Sequence, residues 1–149
     1  YWVGLNTNPG TRFFGFDSFK GLPEEWTKVW GSLPEGSFNV DGKIPAIRDP
    51  RVNLIKGWFQ DTLDGFLRSY DGNDALKVIH MDADLYSSTL YVLTKLDHLL
   101  SKGDIIIFDE FSSGDECKAF LDYSSAYIRD FKIVAVSGAS YQQVAFVMT

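Results

Sequence analysis

Ile79-His80-Met81-Asp82-Ala83-Asp84-Leu85-Tyr86 sets two acids directly after an apolar run. That run, Leu76–Met81, is short and continuous rather than alternating, the pattern of a strand buried on both faces. In open α/β sheets, ligands bind at the carboxyl ends of strands. Asp82 and Asp84 therefore fall where such a fold places its chemistry. If the strand continues, the two side chains face the same way and repel unless a cation or proton stands between them. The plainer reading is an acidic turn that starts a helix.

The pattern recurs downstream in Ile105-Ile106-Ile107-Phe108-Asp109-Glu110-Phe111, where the run Asp104–Phe108 also ends in two acids. If the two strands are neighbours, four carboxylates converge at one rim. Hard oxygen ligands in that number suit Mg²⁺, Ca²⁺ or Mn²⁺. Upstream, Arg12–Phe16 and Val52–Ile55 read as further strands. Asp17, at the end of the first, is placed as an acid that accepts bonds from a ribose diol, or as a turn cap. After the second comes Lys56-Gly57-Trp58-Phe59-Gln60-Asp61-Thr62-Leu63. Gly57 permits close backbone approach, Trp58 and Phe59 offer flat apolar surface, and Gln60 carries an amide able to read a purine edge. Asp61 or Thr62 is equally suited to cap the helix that follows.

Helical spacing appears between the strands, over Thr62–Tyr70, Ser88–Leu100 and Asp115–Tyr127, with Ser87 or Ser88 as the cap of the second. Strands alternating with helices predict βαβ crossovers and a parallel sheet. The end of the chain differs. Phe131–Ser137, Gly138-Ala139-Ser140 and Tyr141–Met148 read as two strands joined too tightly for anything but an antiparallel pair. The expected class is α/β, mostly parallel, with one reversed strand near an edge. Asp17–Pro50 resists assignment: it carries Pro23, Pro34, Pro45 and Pro50, with Trp26, Trp30 and Phe38 among them. A structureless stretch of that length is usually functional, a lid or substrate loop; the alternative is a packed surface excursion.

Composition narrows the function. The 149 residues suit one domain, and a hydrophobic share of 45% provides for a core. Net charge is −6 with no Lys/Arg cluster, which argues against a nucleic-acid binder. Cys117 is the lone cysteine, so neither an intramolecular disulfide nor a Cys-based zinc site can form. No apolar run reaches membrane-spanning length, and the expectation is a cytoplasmic protein without a signal peptide. His80 reads as a hydrogen-bonded core histidine, and His98 as lying on a polar helix face.

These residues resemble the macrocin O-methyltransferase family. The resemblance is carried by Phe14-Gly15-Phe16-Asp17-Ser18-Phe19-Lys20-Gly21-Leu22-Pro23-Glu24-Glu25-Trp26, by Arg51-Val52 with Lys56–Leu63, by His80–Thr89, and by Phe108-Asp109-Glu110-Phe111. It covers nearly all of the chain from Arg12 onward. It implies a Rossmann-like class I methyltransferase sheet, S-adenosylmethionine as methyl donor, and Mg²⁺ or another divalent cation. The implied acceptor is a small-molecule hydroxyl on a glycoside or secondary metabolite, and a homo-oligomer is compatible with it. Position by position, Asp82, Asp109 and Glu110 match the metal ligands and Asp84 the general base. Asp17 with Ser18 matches the ribose side, the Gly57–Asp61 stretch matches the adenine side, and Asp82 also borders the cofactor. Asp17–Pro50 matches the substrate lid.

The family's first strand and its Gly-rich turn should precede Arg12, and Tyr1–Thr11 contain no such motif. The expectation is a domain truncated at its N-terminus that binds cofactor weakly, its gap filled by Tyr1–Leu5 as an antiparallel strand or by a second chain. Three rival readings stand beside this one. A glycosyltransferase would hold a metal-bound nucleotide sugar on Asp82 and Asp84. A phosphatase would use Asp82 as nucleophile, although Tyr86 departs from that pattern. A non-catalytic methyltransferase remnant would fold without chemistry.

Overall fold

A computed structural model describes every residue except Tyr1, Val29, Trp30, Asn73 and Ala139, together with the side chain of Ser113. The expected parts played by Tyr1, Trp30 and Ala139 therefore lie outside the described residues. The chain forms two compact units, Tyr1–Phe66 and Leu67–Thr149.

In the first unit, β1 (Phe13–Asp17) and β4 (Val52–Lys56) pair in parallel, with Phe13 opposite Val52 and Asp17 opposite Lys56. The helix α2 (Phe59–Ser69) follows β4 and begins in this unit. It buries Leu63, and it sets Phe66 against Phe14 and Phe16 with ring centroids 4.9 and 5.1 Å apart. Trp2–Leu5 is a short helix, α1, not the antiparallel strand expected there. Arg51 holds it and the loop after it, donating to the carbonyls of Val3, Asn6 and Asn8 while forming a fork on Asp49. That guanidinium pulls the Asp49 carboxyl down to about 2. Carbonyls gathered on one cation suit a helical turn and the bend after it; a strand would point alternate carbonyls away.

The Asp17–Pro50 stretch is less irregular than expected. It contains a small antiparallel ribbon, β2 (Trp26–Lys28) with β3 (Gly31–Leu33). Leu22 and Trp26 are buried, and Leu22 exchanges backbone bonds with Ser37 and Gly36. Gly21 makes this closure possible: it sits at φ 81°, where a Cβ would fall 2.1 Å from the Ser37 carbonyl oxygen.

The second unit is a four-stranded sheet in the order β5 (Val78–Met81), β6 (Ile105–Phe108), β8 (Gln143–Met148), β7 (Phe131–Ser137). β5 and β6 are parallel neighbours, and β8 runs antiparallel to both β6 and β7. This is the reversed terminal strand that the tight turn required. Helix α4 (Asp115–Tyr127) covers the sheet with Glu116, Ala119, Phe120 and Tyr123, a buried stripe at helical spacing. Phe120 meets Phe108, Phe146 and Phe131 at 5.1, 4.4 and 5.0 Å. Helix α3 (Tyr86–Leu96) packs on α4 and ends in a 3₁₀ turn over Asp97–Leu99.

Burial is complete on one face of β6 and only partial on the other, at Ile105 and Ile107. Ile106 and Phe108 are inaccessible, whereas β7 exposes Ile133, Val134 and Val136, and β5 exposes Val78. Both are edge strands of this sheet, each with one hydrogen-bonded strand neighbour among the described residues. Neither Ser87 nor Ser88 caps α3. Leu85 occupies the cap position without a side-chain bond, and Ser88 is buried inside the helix. No described helix is long and apolar enough to cross a membrane.

Candidate active site

The parallel register carries β5 and β6 to the same edge of the second unit. The ladder runs one step past β6, where the Asp109 N–H donates to the Met81 carbonyl at 3.0 Å. The acids that follow each strand therefore leave from adjacent tips, as the sequence anticipates for neighbouring strands. The strand does not continue through Asp82 and Asp84, however. β5 ends at Met81, and Asp84 turns the chain at φ 59°, a left-handed conformation that Asp tolerates better than most residues. The two side chains thus do not share a strand face. Asp82 is exposed, while Asp84, Asp109 and Glu110 are half-buried.

Beneath the acids lies Glu116, fully buried in the first turn of α4. Its Oε1 accepts the Ala83 N–H at 3.3 Å, and its Oε2 accepts the Glu110 N–H at 3.0 Å. Burial drives its carboxyl up to about 7, the two amide bonds oppose that rise, and the negative charges of Asp82 and Asp84 add to it. Asp109 has its own neighbours. Gln143 Nε2 donates to its Oδ1 at 2.5 Å, and His80 Nε2 lies 3.7 Å from the same oxygen. His80 is exposed rather than a core histidine, on the same exposed face of β5 as Val78 and opposite buried Met81.

Among the described residues, no group of three or more His, Cys, Asp or Glu side chains is placed to hold a metal ion. Asp82, Asp109 and Glu110 offer the right donor chemistry but are not gathered as a ligand set. The Asp109 carboxylate is drawn toward Gln143, and Glu110 is fixed through its backbone.

The expected cofactor residues lie in the first unit, apart from Asp82. Asp17, exposed at the end of β1, accepts the Phe19 N–H at 2.6 Å, the turn-capping role weighed for it. Ser18 is buried and accepts the Lys20 N–H at 3.0 Å. Gly57 adopts φ 146°, and a Cβ there would come within 2.7 Å of the Thr62 methyl. Asp61 and Thr62 do not cap α2, because the helix already starts at Phe59 and both lie in its first turn. Trp58 and Phe59 are half-buried, and Gln60 and Asp61 are exposed.

Sequence reasoning missed Glu116 and Gln143. An acid in the first helical turn ordinarily reads as a dipole partner exposed to water; the signal that could have marked Glu116 is its membership of the apolar stripe with Ala119, Phe120 and Tyr123. Gln143 is set opposite Asp109 by the β6–β8 register, Phe108 against Val144, which sequence alone leaves open.

The chain shares its α/β fold with solved methyltransferases. The O-methyltransferase NovP superposes with a TM-score of 0.62 at 22% identity, covering 99% of this chain and 62% of that one. CalS11, a calicheamicin methyltransferase, gives 0.67 at 19%, covering 97% and 63%. The macrocin-O-methyltransferase (TylF) family matches residues 38–134, and the chain belongs to that family. Two curated relatives are from Streptomyces. The 8-demethyl-8-(2,3-dimethoxy-alpha-L-rhamnosyl)-tetracenomycin-C 4'-O-methyltransferase of Streptomyces olivaceus is 39% identical over 78% of this chain and 48% of its own length. The demethyldecarbamoylnovobiocin O-methyltransferase of Streptomyces niveus is 38% identical over 71% and 44%. The chain thus spans about half the length of these relatives.

Proposed function

We propose that this chain carries the acceptor-activating part of an S-adenosylmethionine-dependent O-methyltransferase acting on a hydroxyl of a glycosylated small molecule. The observation that carries the reading is the pair of adjacent parallel strand tips, joined by the Asp109–Met81 bond, each running straight into an acid pair. The names of the two curated relatives, both O-methyltransferases and one with a rhamnosyl-bearing substrate in its name, support the acceptor class.

The cofactor supplies an activated methyl group. In the second unit, Asp84 is the residue we assign to take the acceptor's hydroxyl proton as its oxygen attacks, and its half-buried turn position keeps it pointed by backbone rather than by a flexible stem. In the first unit, Asp17 is assigned to a ribose hydroxyl, its Oδ1 already fixed by Phe19. Ser18 supports that turn from beneath. Gly57, Trp58, Phe59, Gln60 and Asp61 are assigned to the base. Asp82, Asp109 and Glu110 provide hard oxygens suited to Mg²⁺. Among the described residues they are not assembled as a set.

The test is transfer of a labelled methyl group from S-adenosylmethionine to a rhamnosylated acceptor, with and without Asp84→Asn. Loss of a positioned general base lowers kcat by about 10²–10⁴. Unchanged turnover in the variant removes Asp84 from the role. Binding of a nucleoside diphosphate without S-adenosylhomocysteine binding overturns the methyltransferase reading in favour of glycosyl transfer.

A further inference from the structure

We infer that Glu116 is a positioning residue that fastens the Asp82–Asp84 turn to the Asp109–Glu110 turn, so that the acids at the two strand tips keep their relative places. The inference rests on the proposed role of Asp84 but is argued from geometry alone. Glu116 is the one fully buried acid of α4, and each of its carboxyl oxygens serves a different loop. The Ala83 amide stands between Asp82 and Asp84, and the Glu110 amide follows Asp109 directly. Both bonds go to main chain, so they set where the loops run without using the neighbouring acid side chains.

The carboxyl itself has little freedom. It is mounted on a rigid helix whose next turns, through Ala119, Phe120 and Tyr123, are buried against the sheet. A displacement of α4 would therefore move both loops together, whereas loss of the carboxyl would let them move apart. No shorter or singly accepting side chain at this position reaches both amides. Aspartate is one methylene short, and glutamine turns an N–H₂ toward one of two N–H donors.

Amide hydrogen exchange on the intact chain tests this. In Glu116→Ala, the Ala83 and Glu110 amides should each exchange about tenfold faster, the equivalent of losing one hydrogen bond of about 1.4 kcal/mol. The Ile106 and Phe108 amides of β6 should stay protected. In Glu116→Gln, which keeps shape and volume, only one of the two amides should accelerate. Under the proposed reaction, kcat should fall in both variants with an unchanged KM for the methyl donor. Equal protection of both amides in all three proteins overturns the inference, and so does acceleration of both without any change in kcat. If the unaltered chain transfers no methyl group, the proposed function fails, and the exchange rates still decide whether Glu116 holds the loops.

Discussion

Raising the pH from 4.5 to 8 should weaken the second unit through Glu116, and the structure sets the size of the effect. The carboxyl's ordinary value is 4.5, and burial among the residues of the α4 stripe lifts it to about 7. Between those limits the folded protein keeps a proton that the unfolded chain has released. The contribution to stability is therefore complete below 4.5 and is lost as pH rises through about 7. At about 1.4 kcal/mol per pH unit, the interval amounts to about 3 kcal/mol. Other acids run the opposite way. Asp97 and Asp122 are depressed, by Arg129 and Lys118 respectively, so what they contribute is lost as pH falls. The measurement must therefore be a difference. Urea unfolding of the unaltered chain and of Glu116→Gln, followed by far-ultraviolet circular dichroism at several pH values, isolates the single group. The variant's shortfall should shrink as pH rises, by about 3 kcal/mol, most steeply between pH 5 and 7. A shortfall independent of pH, or one that grows with pH, refutes the reasoning and means that Glu116 is already ionised in the folded protein well below pH 7.

Three further outcomes are expected. Thr89 is wholly buried in α3 and its Oγ1 has no hydrogen-bond partner among the described residues, so Thr89→Val should stabilise by about 1 kcal/mol in thermal or urea unfolding. Ile128 caps α4 in a left-handed conformation at φ 54° while fully exposed, so Ile128→Gly should stabilise by about 0.5–1 kcal/mol, read as a higher melting temperature. Asp104 is buried and accepts the Lys77 and Ser101 amides at 2.9 and 2.8 Å with the Lys77 ammonium at 3.4 Å. Asp104→Ala should cost about 3 kcal/mol and lower the urea midpoint without changing the m-value.

The strands were legible because buried β-branched and aromatic runs are nearly unambiguous at this length. β6 is the clearest case, its isoleucines closing on Phe108. The reversed β8 followed from a turn too short for a crossover. Where reading failed, a local signal was overridden by a distant partner. α1 is tied down by Arg51, far along the chain, which takes the Val3 carbonyl within it and the Asn6 carbonyl just after it. β5 reads as doubly buried from composition, but the face carrying Val78 and His80 is exposed, and nothing local specifies which face is covered. The acid pairs were found and their strand tips correctly made neighbours. The buried carboxyl beneath them was not, because an acid at a helix start has an ordinary reading and becomes exceptional only when the helix turns that face inward.

Asp84 places a reactive group on a backbone bent the uncommon way. Alanine, the usual choice for erasing a side chain, would there remove the carboxylate and also strain the main chain, so a dead enzyme would say little about proton transfer. Asparagine and glycine both accept that bend. They are the substitutions that separate what the acid does from what the turn does.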